Sequence, residues 1–218
     1  MSDHVSRTGS SYATPAILEH LASLHAVHDP ALDAAFRAAD THTIPAIQLG
    51  VHEGALLGWL LRGIRPAKVV EIGTLAGFSG IHIARALRAG GTLFTLEIDP
   101  VHAKIARESF RAAEVADRTE VMLGDASASL AILRSRGPFD AVFVDADKAG
   151  YDQYLRWALA NLAPGGMFIA DNVFLFGRLL DDTPEAAAMR RFHSRAAASL
   201  DTALIPTPDG LLVGRMPA

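Results

Sequence analysis

KVVEIGTLAGFSGIHIARALRAGGTLFTLEID, Lys68 to Asp99, decides how this chain folds. Its two ends, residues 68–72 and 92–98, are short apolar runs of the kind that form strands buried on both faces. Between them residues 79–88 space their apolar side chains as a helix does. Two such strands flanking one helix make a βαβ unit, whose strands lie parallel in one sheet. Gly73, Gly77 and Gly80 follow the first strand, where they suit either close backbone approach to a ligand or tight packing of helix on strand. The spacing, Gly-x-x-x-Gly-x-x-Gly, is not the Gly-x-Gly-x-x-Gly that cradles a dinucleotide pyrophosphate.

The alternation continues outward. Strands at 92–98, 119–123, 141–144 and 167–170 are each followed by a helix, at 101–113, 127–134, 151–161 and 185–198. The end differs: short strands at 202–206 and 211–214 flank Thr207-Pro-Asp-Gly210, a turn sequence, so the last strand is expected to run antiparallel. Upstream, apolar spacing predicts two helices over 14–39, broken around Asp29-Pro30, and VHEGALLGWLLR at 51–62 reads as a further helix. The expected fold is α/β: a Rossmann-like, doubly wound, mostly parallel seven-stranded sheet with an antiparallel last strand, in one domain over 1–218. Residues 1–45 form a helical arm on it.

Composition narrows the function. A chain of 218 residues with 50% hydrophobic content can bury one large core. With Lys+Arg 20 against Asp+Glu 24 and the basic residues scattered, the electrostatic footprint of a nucleic-acid binder is missing, and a small-molecule substrate is expected. The absence of cysteine excludes disulfides, thiolate nucleophiles and cysteine-based zinc sites. Apolar stretches fall short of the roughly 18 residues a spanning helix needs, and MSDHVSRTGSSYATP has no apolar targeting core. A cytoplasmic protein without membrane contact is the expectation.

Carboxylates at the strand ends indicate the ligand. Glu71, just before the glycine turn, would tolerate a cationic group and repel a phosphate. Glu97 ends the second strand, where a carboxylate either is solvated or accepts both ribose hydroxyls. A ribose, a positive group and no phosphate together describe S-adenosylmethionine. In Gly124-Asp-Ala-Ser127, Asp125 is best read as a helix cap, and Ala126 is small enough to lie against a flat adenine.

FVDADKAGYDQY, residues 143–154, crowds Asp145, Asp147 and Lys148 against the end of the fourth strand. The fifth ends in Asp171-Asn172, one crossover later, so the two strand ends can be neighbours. Asp145, Asp171 and Asn172 would then offer three oxygens to a hard divalent cation such as Mg²⁺, with Mn²⁺ or Ca²⁺ as alternatives; taken alone, Asp171-Asn172 reads equally well as a turn or cap. Lys148 is either a solvated lysine at a helix start or a general base, since a dication beside it would disfavour its ammonium form. Asp147 reads as a cap.

With these residues in view, the chain resembles the cation-dependent class I O-methyltransferases, which include catechol and caffeoyl-CoA O-methyltransferases. The resemblance spans 47–215 and rests on EIGTLAGFSG, TLEIDP, GDA, FDAVFVDADKAGYDQYL, PGGMFIADNV and PDGLLVGR in the family's order and spacing. It implies metal ligation by Asp145, Asp171 and Asn172, with Lys148 as base. For S-adenosylmethionine it implies the Leu49 backbone, Glu71, Gly73, Thr74 and Ser79 around the methionine and turn, Glu97 on ribose, Ala126 at adenine, and Asp145 again. It further implies a homodimer and an N-terminal arm over the acceptor site. Ile47 stands where the family usually has Met, Gly50 where it usually has Ser, and Leu175 where it often has Trp; Ile47 and Leu175 are expected to flank the acceptor pocket. His42 and His52 could face that pocket, although surface or core roles are the better reading. The expected reaction moves a methyl group from S-adenosylmethionine to a hydroxyl of a catechol-like aromatic diol. The rival readings are a modified nucleoside in RNA as acceptor, an oxidoreductase on the same sheet, and a non-catalytic binding protein.

Overall fold

Four helices of the computed structural model, which describes residues 12–217, begin with the same two-residue phrase. Thr14-Pro15, Asp29-Pro30, Asp99-Pro100 and Thr183-Pro184 each place a capping side chain on free backbone N–H groups and a proline in the first turn, where its missing N–H costs nothing. These caps open α1 (Pro15–His25), α2 (Pro30–Phe36), α6 (Pro100–Ala112) and α9 (Pro184–Ser199). The expected break at Asp29-Pro30 is therefore the start of α2, and a single further turn, α3 (Ala38–Thr41), completes the described part of the arm. Residues 1–11 of the expected arm lie outside the described residues.

Downstream come α4 (Val51–Ile64), β1 (Lys68–Ile72), α5 (Phe78–Ala86), β2 (Thr92–Glu97), then α6, β3 (Thr119–Leu123) and α7 (Ala126–Leu133). The chain continues with β4 (Phe139–Val144), α8 (Tyr151–Asn161), β5 (Leu162–Ala170), α9, β6 (Asp201–Ile205) and β7 (Leu211–Arg215). The seven strands are ordered β3-β2-β1-β4-β5-β7-β6. The pairs β3–β2, β2–β1, β1–β4 and β4–β5 are parallel, and β7 inserts antiparallel between β5 and β6. The antiparallel last strand is thus as expected. β5 starts earlier than its apolar run suggests, because residues 162–166 pair irregularly with Phe139 before the regular register begins at Met167.

Because side chains alternate across a strand, the sheet divides the core in two. Val70, Ile72, Phe94, Val142, Val144 and Phe168 pack under α7, α8 and α9. Val69, Leu93, Phe143 and Ile169 pack under α4, α5 and α6. The strand order reverses between β1 and β4. There the ladder runs one residue past each strand: Gly73 N–H donates to Leu96 C=O at 3.0 Å, Asp145 N–H to Ile72 C=O at 3.0 Å, and Asp171 N–H to Val144 C=O at 3.0 Å. The carboxyl ends of β2, β1, β4 and β5 are level, and the residues singled out from the sequence stand along that one edge. Among the described residues no helix is long and apolar enough to cross a membrane.

Candidate active site

A cleft of about 1190 Å³ opens along this edge. Leu49, Gly73, Thr74, Ser79, Glu97, Ala126, Asp145, Lys148 and Asn172, all predicted from the sequence, line it. Glu71 and Asp171 do not: they lie just behind its wall and act through their neighbours.

At the β1 end the backbone leaves the strand with Gly73 at φ +95°, and a Cβ there would meet the carbonyl oxygen of Asp145 at 2.0 Å, so no other residue fits without moving the strand. Glu71 points to the α5 side of the sheet and is wholly buried; Ser79 Oγ and Thr95 Oγ1 each donate to its carboxyl at 2.6 Å. Burial pushes its pKa up to about 7, against the two hydroxyl donors that pull it down. Thr95 Oγ1 lies 2.5 Å from Thr74 Oγ1, which brings the network to the cleft wall. Glu97 Oε2 accepts the N–H groups of Thr74 at 3.2 Å and Leu75 at 2.8 Å, and its Oε1 accepts that of Asp99 at 2.9 Å. Glu97 therefore clamps the glycine turn of β1 to the end of β2. His102 Nδ1 stands 3.7 Å from Glu97 Oε1 and also lines the cleft. Asp125 caps α7 by accepting from Ala128 N–H at 3.2 Å, as its position suggested.

At the β4–β5 end Lys148 is nine-tenths buried. Its Nζ donates to Tyr151 Oη at 2.7 Å and Asn172 Oδ1 at 2.9 Å, with Asp145 Oδ1 at 3.5 Å. Asp171 is 2% exposed; its Oδ2 accepts from Asn172 Nδ2 at 3.3 Å, while its Oδ1 is buried with no hydrogen-bond partner among the described residues. Burial, then the neighbouring Asp145 carboxylate, push the Asp171 pKa up to about 7, and burial raises Asp145 as well. Burial also pushes the Tyr151 phenol well above its ordinary value, so it stays protonated. Asp147 caps the following turn, as expected, accepting from Gly150 N–H at 2.8 Å and from Tyr154 Oη at 2.5 Å, and it also lines the cleft.

Among the described residues no group of three or more His, Cys, Asp or Glu side chains is arranged to hold a metal. The set here is different, two acids and an amide. Its chemistry nevertheless fits a hard dication: a bare buried carboxylate oxygen, two carboxyls close enough for Asp145 to raise the pKa of Asp171, and oxygens of Asn172 and Asp145 that already receive one ammonium.

The mouth of the cleft is apolar. Ile47 is 68% exposed and Phe176 61% exposed, and both line it. The expectation for Leu175 is corrected. Asn172, Leu175 and Phe176 all have left-handed backbone, at φ 53°, 57° and 55°, which turns Leu175 fully into the core and presents Phe176 in its place. Asp209, in the turn between β6 and β7, grips this loop: its carbonyl accepts from Phe174 N–H at 2.9 Å and its Oδ1 from Phe176 N–H at 2.8 Å. Gln48 Nε2 donates to the C=O of Phe36 in the arm at 2.8 Å, which holds residues 46–49 at the mouth. His52 does not face the cleft but bonds Leu18 C=O at 2.9 Å, and His42 is exposed.

The chain has relatives among known proteins. A family model described as O-methyltransferase matches residues 22–216. A catechol O-methyltransferase of Mycobacterium tuberculosis is 42% identical over 165 residues, 75% of this chain and 74% of that one. Another, from Niastella koreensis, is 36% identical over 185 residues, 83% and 84% of the two chains. The crystal structure of an O-methyltransferase from Bacillus cereus in complex with SAH superposes with a TM-score of 0.86 at 31% identity, covering 92% of this chain and 97% of that one.

Proposed function

The chain belongs to the O-methyltransferase family, and from that premise we propose that it methylates one hydroxyl of a small, catechol-like aromatic diol. S-adenosylmethionine is the donor, a divalent cation assists, and Lys148 is the base. The observation that carries this reading is the position of Lys148 Nζ. It stands among Tyr151, Asn172 and Asp145, lining the same cleft as the glycine turn.

When bound, S-adenosylmethionine supplies the sulfonium methyl that the acceptor oxygen takes. Gly73 lets the chain run close beneath it, Thr74, Ser79 and the Leu49 backbone form the wall around its methionine end, and Ala126 leaves room for adenine. Glu97 already accepts three N–H groups; a carboxylate has about four lone-pair sites, so it can still take a ribose hydroxyl without releasing the turn. Glu71 acts from behind Ser79 by fixing its hydroxyl. Asp145, Asp171 and Asn172 would hold Mg²⁺, or Mn²⁺ or Ca²⁺, which supplies positive charge against the oxygen that loses its proton. Lys148, acting as the neutral amine, receives that proton at Nζ, and Ile47 and Phe176 flank the ring of the acceptor.

A modified nucleoside in RNA is a poorer acceptor. In the basic strip on α9, Arg190 is committed to the carbonyls of Leu179 and Asp181, and Arg195 to Asp152. The whole chain acts as one catalytic domain with the arm at the acceptor mouth. Ile17, Leu21, Leu24 and Val27 on and after α1 are exposed, which supports pairing of two copies through the arm. The test is methyl transfer to a panel of catechols, first with EDTA and then with Mg²⁺ restored. Transfer that stops with chelator and returns with the ion is the expected result; normal S-adenosylmethionine binding with no transfer to any diol would overturn the acceptor assignment.

A further inference from the structure

We propose that Tyr151 is the positioning residue that holds Lys148 in line with the acceptor hydroxyl; the proposal rests on the reading of Lys148 as the base. Lys148–Gly150 is a single 3₁₀ turn, and Tyr151 is the residue that follows it. In that geometry side chains three apart eclipse, so Lys148 and Tyr151 are stacked on one face by the backbone itself. The tyrosine is 0% exposed, and its ring is fixed edge-on against Phe192, with centroids 5.5 Å apart at 80°.

The hydroxyl has one proton, and Tyr151 Oη spends it on the carbonyl of Asp171 at 2.8 Å. What remains toward Lys148 is a lone pair, 2.7 Å from Nζ, with the ammonium also 4.7 Å from the ring centroid. Of the three oxygens that receive Lys148, Asn172 Oδ1 and Asp145 Oδ1 belong to the set that fits a cation. Tyr151 Oη does not belong to it. It is therefore the partner left to Lys148 once those oxygens are engaged, and without it a side chain with four rotatable bonds would wander.

A purely structural tyrosine, tying α8 to the end of β5, would matter equally with or without the lysine. The test is a double-mutant cycle of Tyr151→Phe and Lys148→Ala, with kcat and KM measured separately and SAH affinity and thermal midpoint as controls. Tyr151→Phe is expected to lower kcat roughly 10- to 100-fold with acceptor KM and SAH affinity unchanged, and to have no further effect in the Lys148→Ala background. A crystal structure of Tyr151→Phe is expected to show Lys148 in a different rotamer. Equal losses in both backgrounds, a loss confined to KM or SAH affinity, or an unmoved lysine would overturn the proposal. Full activity of Tyr151→Phe beside an inactive Lys148→Ala would overturn it alone, whereas full activity of Lys148→Ala would remove the base assignment and this proposal together.

Discussion

The two ends of the cleft each bury a pair of carboxyl groups, and they satisfy them in opposite ways. At the ends of β1 and β2, Glu71 is held by two hydroxyls and Glu97 by three backbone N–H groups, so the protein has supplied the donors itself. At the ends of β4 and β5, among the described residues, Asp171 keeps a bare oxygen and the side chain of Asp145 has only the long contact with Lys148. The difference separates two tasks. At one end the protein supplies the donors itself, and at the other it leaves a carboxylate oxygen for the cation we propose.

The most damaging way to break that division is Lys148→Ala, which should lower kcat by about 10²–10⁴-fold while S-adenosylmethionine affinity is retained. Single-turnover rates with a calorimetric binding constant check it; a lost cofactor affinity would mean that the ends are not separable. Next is Gly73→Ala, at the residue where the ends touch. The new Cβ lies 2.0 Å from the Asp145 carbonyl oxygen at a φ of +95°, and urea unfolding should show a loss of about 3 kcal/mol or more. A loss below about 1 kcal/mol would show that the turn can relax.

The smallest effect sharpens the comparison through pH. Glu71 has its folded pKa raised from 4.5 to about 7, so between those values the folded chain keeps a proton that the unfolded chain has lost. Its contribution to stability is full below about pH 4.5 and disappears as pH rises to about 7, a swing on the order of 3 kcal/mol. His82, on α5 and packed against Gly54 and Gly58 of α4, works in the opposite sense: burial lowers it from 6.5 to about 4, and its contribution is lost as pH falls through that window. Urea unfolding of Glu71→Gln and wild type across this range should show the variant gaining on wild type as pH rises. A difference that does not change with pH would mean that Glu71 is ionised in the folded chain throughout.

Much of this was legible in the sequence because it is local. Strand and helix periods, the Thr-Pro and Asp-Pro helix starts and the acids at strand ends are written within a few residues of where they act. The adjacency of Asp145 and Asp171 followed from one crossover. What was hidden depends on long-range pairing or on backbone sign. That β7 slips between β5 and β6, bringing Asp209 against Phe174 and Phe176, is not encoded near either segment. That Phe176 and not Leu175 faces the cleft follows from three left-handed residues, none of them glycine, which a sequence pattern does not reveal. Tyr151 carried a usable signal, its place three residues after Lys148, but only the 3₁₀ turn turns that spacing into contact.

The central claim, that one end of the cleft is finished by the protein and the other by a cation, is tested most directly by calorimetric titration of Mg²⁺ into chelator-treated wild type and Asp171→Asn, each with a parallel SAH titration. The account predicts Mg²⁺ binding at a single site in wild type, its loss in Asp171→Asn, and the same SAH affinity in both. Equal Mg²⁺ binding in the two proteins, or an SAH affinity that falls with Asp171→Asn, would contradict it.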